Sequence, residues 1–281
     1  MMKVVFIGGL TNGKIVFDYL RSNRFVNLGF VVTYPDDSDK PRHVVFPNEK
    51  GVVKSGYANN YIDEIKSFRP DLIIVAGWSE LLNEELLDLP PKGVIGFHPS
   101  KLPYDRGRSV LAWQIEEGYQ DTALTMFYYN NIPDGGEIIG QEKITIRLND
   151  YITDILDKVD YATLSLMRTY FPMIRMGIAP RRKQDINVGT FRRLRTSRDS
   201  IINWNYDSID IYNKIRAIAN PYPGAIGNIG GGDYKIVKSE LLEFEFGENE
   251  VPGTLIATLY DGSMIVKTRD GCLRIMNFSK L

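Results

Sequence analysis

The sequence predicts an α/β protein with a mostly parallel sheet in its first part and a small, mainly antiparallel β domain at its C-terminal end. Two observations predict the first part: short apolar segments alternate with segments of helical periodicity, and the segment at 72–76 is apolar throughout. The second part is predicted because, from residue 234 onward, short alternating segments are separated by glycine-bearing turns. The first part is therefore expected to be Rossmann-like.

The predicted elements of the first part follow one another in a regular order. A β-branched and aromatic run at 3–7 stops at Gly8-Gly9, and apolar residues then recur at helical spacing, which indicates strand, turn and helix. The long amphipathic stretch at 150–176 is predicted to be a helix with a kink or break near Pro172. In full, strands are predicted at 3–7, 28–34, 72–76, 93–97 and 124–129, and helices at 14–20, 61–68, 83–87, 110–117 and 150–176.

The character of the sequence changes after Pro180, where a basic segment leads to Trp204. We therefore predict a first domain at 1–180, a linker at 181–203 and a C-terminal domain at 204–281. Within the last of these, a helix is predicted at 206–219, and strands at 234–237, 241–246, 254–260, 263–267 and 272–278.

Composition and charge exclude several classes of function. The 34 basic and 35 acidic side chains nearly cancel, so the chain has no bulk field with which to hold a polyanion such as tRNA. Cys272 is the only cysteine, which excludes an internal disulfide and a cysteine-rich metal site. Because the N-terminus lacks a signal-peptide pattern and no apolar run reaches about 18 residues, we expect a cytoplasmic protein.

A glycine-rich loop at 8–13 follows the first predicted strand. At a helix N-terminus, its backbone N–H groups could receive a phosphate, in which case Gly9 and Lys14 would contact the substrate. A tight turn that only needs small residues explains the glycines equally well. The loop is not a G-x-G-x-x-G fingerprint, so a nicotinamide-dependent dehydrogenase is a remote alternative.

His98 carries the sharper signal. It follows an apolar strand directly, and ligands of open parallel sheets bind at the carboxyl ends of strands. Two prolines and a glycine then restrict the path of the loop at 99–107. Position and loop together favour a functional histidine over a structural one.

Asp134 lies 36 residues further on, in the turn Pro133-Asp134-Gly135-Gly136. Those four residues are typical of an ordinary turn. The functional alternative is a carboxylate that hydrogen-bonds to His98 and fixes its tautomer. A histidine oriented in this way is suited to removing the proton of an attacking amine.

These residues resemble the folate-dependent formyltransferases, which act on methionyl-tRNA, glycinamide ribonucleotide or nucleotide sugars. The family motif has the form N-x-H-x-S-L-L-P-x-x-R-G, followed by D-x-G-x-I. The resemblance covers most of the chain and implies proton transfer by His98, orientation by Asp134 and a donor, 10-formyltetrahydrofolate, as co-substrate. The sequence supplies the motif residues Gly96, His98, Ser100, Leu102, Pro103, Arg106 and Gly107, then Asp134, Gly136 and Ile138.

The resemblance also implies which residues hold the pterin ring of the donor. One side is similar to the family segment represented here by Trp78, Ser79, Glu80, Leu81 and Leu82. The opposite wall is represented by the loop that contains Asn130, Asn131 and Asp134.

One family residue is missing, because Gly96 stands where an asparagine stabilises the tetrahedral oxyanion. Losing one such donor typically costs about 100- to 1000-fold in rate. Asn130, Asn131, a backbone N–H or a His98 imidazolium are candidates to compensate. Alternatively, the chain binds a folate or nucleotide without turnover, and restoring asparagine at position 96 creates activity.

Among family acceptors, a nucleotide-linked amino sugar is favoured. The segments Ile215-Arg216-Ala217 and 221–225, P-Y-P-G-A, are similar to nucleotide-sugar formyltransferases. A sequence pI of about 6.2 disfavours the alternative, methionyl-tRNA. A glycinamide ribonucleotide enzyme would consist of the first domain alone.

Because the chain has no bulk positive field, we expect individual basic and aromatic side chains to bind the substrate. We also expect that edges of the C-terminal sheet could pair in a homodimer. The predicted substrate-binding residues are Gly9, Lys14, Ser100, Arg106, Arg108 and Tyr222, with Arg216 and Trp113 as further candidates.

Overall fold

The computed structural model describes residues 1–243 and 249–281 of the chain. Its strands are β1 (Met2–Gly8), β2 (Val26–Thr33), β3 (Val52–Lys54), β4 (Leu72–Ala76), β5 (Val94–His98), β6 (Arg106–Gly107), β7 (Asp121–Tyr128), β8 (Ile138–Thr145), β9 (Phe191–Arg192), β10 (Ala225–Ile229), β11 (Gly232–Leu241), β12 (Leu255–Thr258), β13 (Met264–Lys267) and β14 (Cys272–Lys280). Its α-helices are α1 (Thr11–Arg21), α2 (Ile62–Phe68), α3 (Glu84–Asp88), α4 (Val110–Glu116), α5 (Ile152–Met176) and α6 (Ser208–Ala217).

The main sheet has the strand order β3-β2-β1-β4-β5-β7-β8. Strand β1 pairs in parallel with β2 and β4, and β4 pairs in parallel with β5. Strand β7 runs antiparallel to β5, with Gly96 opposite Phe127 and His98 opposite Thr125. The predicted Rossmann-like, mostly parallel sheet is therefore confirmed.

Burial explains why the central strands β1 and β4 consist almost entirely of apolar residues. All five residues of β4 are buried, and β1 is buried at every position except Lys3. Burying one large aliphatic side chain stabilises the fold by about 1.5–3 kcal/mol, and a strand covered on both faces collects this gain at every position. Strand β4 in turn pairs with β5, the strand that ends at His98.

Helix α5 differs from its prediction at Pro172. It continues through the proline to Met176, so the alternative of a break there is wrong. A proline removes one backbone hydrogen bond, but Phe171 and Ile174 beside it are buried, and their packing keeps the helix intact. None of the helices in the described ranges has the length and apolar character needed to cross a membrane.

Two strands of the main sheet were not anticipated from sequence. Strand β3 has three residues, which is too short to show alternation. Strand β8, Ile-Ile-Gly-Gln-Glu-Lys-Ile-Thr, carries a polar centre that hides its pattern.

A second sheet has the strand order β10-β11-β14-β13-β12, and its neighbouring strands pair antiparallel. The predicted small, mainly antiparallel C-terminal part is confirmed. The strand predicted at 234–237 belongs to the longer β11, and residues 244–246 of the one predicted at 241–246 lie outside the described residues. Ile236, Val266 and Leu273 are among the fully buried residues of this sheet.

Contacts divide the chain into two compact units. The first contains residues 1–107, 122–144 and 157–191, and the second contains 108–121, 145–156 and 192–281. Residues 181–191 thus belong to the first unit. The domain limits at 180 and 204 stay predictions.

Candidate active site

The candidate site begins at His98, the last residue of β5. Its side chain is only 6% exposed. Nε2 lies 2.8 Å from the carbonyl oxygen of Asp105, and Nδ1 lies 3.4 Å from Oδ1 of Asp134. Because a carbonyl oxygen only accepts, Nε2 carries a hydrogen, and Nδ1 is the nitrogen whose lone pair is open to a proton.

The carboxylate of Asp134 is fixed by its surroundings. The backbone N–H of Gly107 donates to Oδ2 over 2.8 Å, which leaves Oδ1 directed at His98. The residue has a φ of 56°, a left-handed conformation that aspartate tolerates better than most residues. A proton arriving at Nδ1 of His98 would therefore meet a positioned negative charge.

Gln184 holds the backbone around Asp134. Its side-chain amide donates to the carbonyl oxygen of Asp134 over 2.9 Å and to that of Gly136 over 2.5 Å. Because both bonds end on the backbone, they fix the turn and, through it, the carboxylate.

Thr190 holds the other partner of His98. Its hydroxyl donates to Oδ1 of Asp105 over 2.5 Å and accepts from the Asp105 N–H over 3.2 Å. Asp105 is 2% exposed and has a φ of 52°. We call residues 184–190 the brace, since Gln184 and Thr190 at its two ends fix the groups on either side of His98.

The brace could not be found from sequence reasoning. Residues 184–190 fall in the segment predicted as a linker at 181–203, and they lack apolar periodicity. Gly189 is the available signal: a Cβ there would lie 2.6 Å from the carbonyl oxygen of Pro103, and its φ is 89°. That glycine marks a close approach of the brace to the loop after His98.

Replacing Gln184 by leucine should lower kcat by about 10- to 100-fold, because a shift of Asp134 by about 1 Å has that order of effect. The carbonyls of Asp134 and Gly136 lose their donor, so the melting temperature should also fall. Steady-state kinetics and thermal unfolding measure both. Gln120→Leu, at an exposed position, is the matched control, and equal kcat values for the two variants would contradict a positioning role.

The hydroxyl of Ser100 is used in a hydrogen bond within the protein. The side chain is fully buried, and its hydroxyl donates to the carbonyl oxygen of Tyr104 over 2.7 Å. Its own carbonyl accepts from the Thr125 hydroxyl over 2.6 Å. These bonds close the loop after His98, and direct contact of Ser100 with substrate stays a prediction.

Several contacts fix the position of the segment that was predicted to hold a pterin ring. The Trp78 ring stacks on Tyr34 with centroids 4.4 Å apart, and Ser79 donates its N–H to the Tyr34 hydroxyl over 2.9 Å. Glu80 accepts from the Ala58 N–H over 2.6 Å. Leu82 packs against the core, whereas the Leu81 side chain is exposed.

Asn130 and Asn131 both have local partners. Oδ1 of Asn130 accepts from the Ile132 N–H over 3.0 Å, and the Asn131 amide donates to Glu84 over 2.7 Å. The space beside Gly96 holds the ring of Tyr129, and compensation by either asparagine stays a prediction.

The predicted substrate-binding cations differ in their surroundings. Lys14 forms an ion pair with Asp18 at 2.6 Å. Arg106 donates Nη2 to the Ile186 carbonyl over 2.8 Å, and within the described ranges its buried Nε has no partner. The guanidinium of Arg106 is therefore the better candidate of the two for an anion.

Other predicted residues are placed as follows. A Cβ at Gly9 would lie 2.4 Å from the Tyr34 ring, so this position needs its small residue for space. Arg108 and Tyr222 belong to the second unit. Arg216 is also in that unit, only 2% exposed, and it donates to backbone carbonyls, including that of Asp150 over 2.9 Å. Trp113 lies against the guanidinium of Arg195 at 4.2 Å.

The chain matches two protein families in succession. Residues 2–169 match the family described as formyl transferase, and residues 195–280 match the one described as formyl transferase, C-terminal domain. His98, Asp134 and Gly96 all lie in the first match.

Several solved structures share the fold. The N-formyltransferase from Helicobacter canadensis in complex with folinic acid and dTDP-3-aminofucose is 19% identical, with a TM-score of 0.70 and 100% of both chains covered. Methionyl-tRNA formyltransferase from Clostridium thermocellum is 15% identical, with a TM-score of 0.64 over 100% of this chain and 99% of that one. HypX from Aquifex aeolicus in complex with tetrahydrofolic acid is 16% identical, with a TM-score of 0.73 over 99% of this chain, which spans only 44% of the HypX chain.

Proposed function

We propose that this chain, which belongs to the formyl transferase family, moves the formyl group of 10-formyltetrahydrofolate onto the amine of a nucleotide-linked amino sugar. The observation that carries the proposal is the environment of His98. Nε2 is occupied by the Asp105 carbonyl, and Nδ1 faces Asp134 at 3.4 Å. A single nitrogen is thus prepared to take a proton next to a fixed carboxylate.

The site can perform the transfer as follows. The acceptor nitrogen forms a bond to the formyl carbon, and the carbonyl electron pair moves to oxygen. Nδ1 of His98 takes the proton that the amine loses, and Asp134 stabilises the resulting imidazolium. When the oxyanion collapses, the bond from carbon to N10 breaks, N10 takes the proton held by His98, and a formamide and tetrahydrofolate leave.

The proposed donor suits the segment at 78–82. Leu81 presents an apolar side chain to solvent, 74% exposed, three residues along the chain from Trp78, whose ring stacks on Tyr34. An exposed apolar side chain and a fixed aromatic pair in one segment favour a flat heteroaromatic ligand. The tetrahydrofolic acid and folinic acid in the HypX and Helicobacter canadensis complexes support the same choice.

The choice of acceptor rests on charge and on one relative. The Helicobacter canadensis complex contains dTDP-3-aminofucose, and the match covers the full length of both its chain and this one. The 34 basic and 35 acidic residues give no bulk field for tRNA, although a methionyl-tRNA formyltransferase shares the fold. We therefore propose a nucleotide-linked amino sugar as the acceptor, with methionyl-tRNA as the second candidate.

A panel assay tests the proposal. The wild-type protein is given 10-formyltetrahydrofolate and either a series of nucleoside-diphosphate amino sugars or methionyl-tRNA, and the formylated products are measured by mass spectrometry. We expect turnover with at least one amino sugar and none with the tRNA at physiological salt. The same sugars without their free amine serve as controls.

Two results would change the proposal. Formylation of methionyl-tRNA alone would move the chain to the second candidate. Tight folate binding without transfer to any acceptor would indicate a non-catalytic member of the family.

A further inference from the structure

Gly96 and His98 project toward the same face of β5, because residues two apart in a strand share a face. Across the antiparallel pairing, Gly96 is opposite Phe127 and His98 is opposite Thr125. Directly opposed residues also share a face. The reacting face of the sheet therefore has an imidazole at 98 and no side chain at 96.

The ring of Tyr129 fills the space beside Gly96. A Cβ built on Gly96 would lie 2.1 Å from Cε1 of Tyr129 and 2.5 Å from its hydroxyl oxygen. In an asparagine, the amide nitrogen lies about 2.4 Å from its own Cβ, given amide bond lengths of about 1.3 and 1.5 Å. The hydroxyl oxygen of Tyr129 is therefore about as far from this Cβ as the amide nitrogen of an asparagine at position 96 would be.

Packing keeps the Tyr129 ring in this place. It stacks on Phe127 with centroids 5.1 Å apart and planes inclined by 29°. It also packs against the buried cluster of Leu102, Phe127 and Ile138. Its N–H donates to the Val94 carbonyl over 2.8 Å, which ties the residue to the start of β5. The ring contacts and the backbone bond together restrict the position of the Tyr129 hydroxyl.

The hydroxyl of Tyr129 keeps its hydrogen. Burial, and then the negative charge of Asp134, raise the pKa of the Tyr129 phenol above its ordinary value. Across residues 1–243 and 249–281, no group accepts a hydrogen bond from this hydroxyl. A neutral donor is therefore available on the face that carries His98.

We propose that Tyr129 is a catalytic residue whose hydroxyl donates a hydrogen bond to the formyl oxygen as that oxygen becomes an oxyanion. Gly96 cannot donate this hydrogen bond because it has no side chain. This inference rests on the proposed formyl transfer. During attack, the amine nitrogen bonds to carbon, the carbonyl electron pair moves to oxygen, and the Tyr129 O–H stabilises that charge while remaining a phenol. His98 takes the amine proton, the electron pair of the oxyanion then re-forms the carbonyl, and N10 leaves with the electron pair of the broken bond and takes the proton from His98.

Tyr129→Phe tests the donor, because it removes the hydroxyl and keeps the ring. We expect kcat to fall by about 100- to 1000-fold, as for other oxyanion donors, with little change in KM for either substrate. Tyr128→Phe is the matched control, since Tyr128 points to the opposite face of β7 and lies against Arg181 at 3.7 Å. Equal kcat values for the two variants would overturn the inference.

Exchanging the two residues gives a second test. Gly96→Asn alone should not raise activity, because its side chain meets the Tyr129 ring. The double variant Gly96→Asn/Tyr129→Ala frees that space and supplies an amide donor. We expect it to be at least about 10-fold more active than Tyr129→Ala, and no gain would count against a shared position for the two donors.

Infrared spectroscopy separates this inference from the choice of acceptor. The probe is 10-formyltetrahydrofolate with a ¹³C-labelled formyl group, bound without any acceptor. We expect the formyl carbonyl to absorb at a lower frequency in wild type than in Tyr129→Phe. The same frequency in both proteins, with folate bound, would reject the hydrogen bond. A frequency difference without turnover on the acceptor panel would keep the hydrogen bond and reject the proposed acceptor.

Discussion

Replacing His98 by glutamine is expected to lower kcat for formyl transfer by about 100- to 10,000-fold, the range that one positioned proton acceptor contributes. A glutamine amide can still donate to the Asp105 carbonyl, which accepts from Nε2 of His98 over 2.8 Å. The loop after β5 should therefore keep its path. What glutamine lacks is a nitrogen lone pair with the basicity of Nδ1.

Two measurements check this result. Steady-state kinetics with the accepted amino sugar give kcat and KM, and thermal unfolding shows whether the loop is intact. An unchanged melting temperature with a large loss of kcat supports proton transfer by His98. A loss of kcat below about 10-fold would show that the amine loses its proton to solvent or to another group.

Asp134→Asn is expected to lower kcat by about 100- to 1000-fold for a different reason. The carboxylate has one oxygen on the Gly107 N–H at 2.8 Å and the other 3.4 Å from Nδ1 of His98. An asparagine keeps the first bond through its carbonyl oxygen, but its amide then donates to Nδ1 and occupies the lone pair. Because asparagine also tolerates the φ of 56°, the backbone is not strained.

The tautomer of His98 and the melting temperature check that Asp134→Asn keeps the arrangement around the ring. ¹⁵N spectra of the His98 ring in Asp134→Asn should show Nδ1 without a hydrogen and Nε2 with one. The melting temperature should change little. A protonated Nδ1 in the variant would contradict the proposed arrangement of donors.

The position of His98 could be predicted from sequence because the cause is local. An apolar strand followed directly by a polar residue places that residue at the carboxyl end of the strand. The neighbourhood of Asp134 is a different case. Strand β7 runs antiparallel to β5, so Asp134 reaches His98 through the path of the loop at 129–137 and not through the strand end itself. From the residues alone, this pairing was one alternative beside an ordinary turn, and the resemblance to a motif favoured it.

The roles of Tyr129 and the brace could not be predicted in this way. Tyr129 fills the space at Gly96 across a strand pairing, and one glycine in a sequence does not reveal which ring lies over it. Thr190 and Asp105 are 85 residues apart, and Gln184 and Asp134 are 50 apart. Such bonds depend on the completed fold, and polar residues in a basic segment are typical of a surface connection.

The brace also decides where this chain could be recombined with another member of its family. A chimera joined at residue 180 would take its first domain without Gln184 and Thr190, the groups that hold Asp134 and Asp105. The foreign segment would have to supply equivalent donors at the same places. A junction after residue 191 transfers His98, Asp134 and Asp105 together with Gln184 and Thr190, so the hydrogen bonds that position them stay within native sequence.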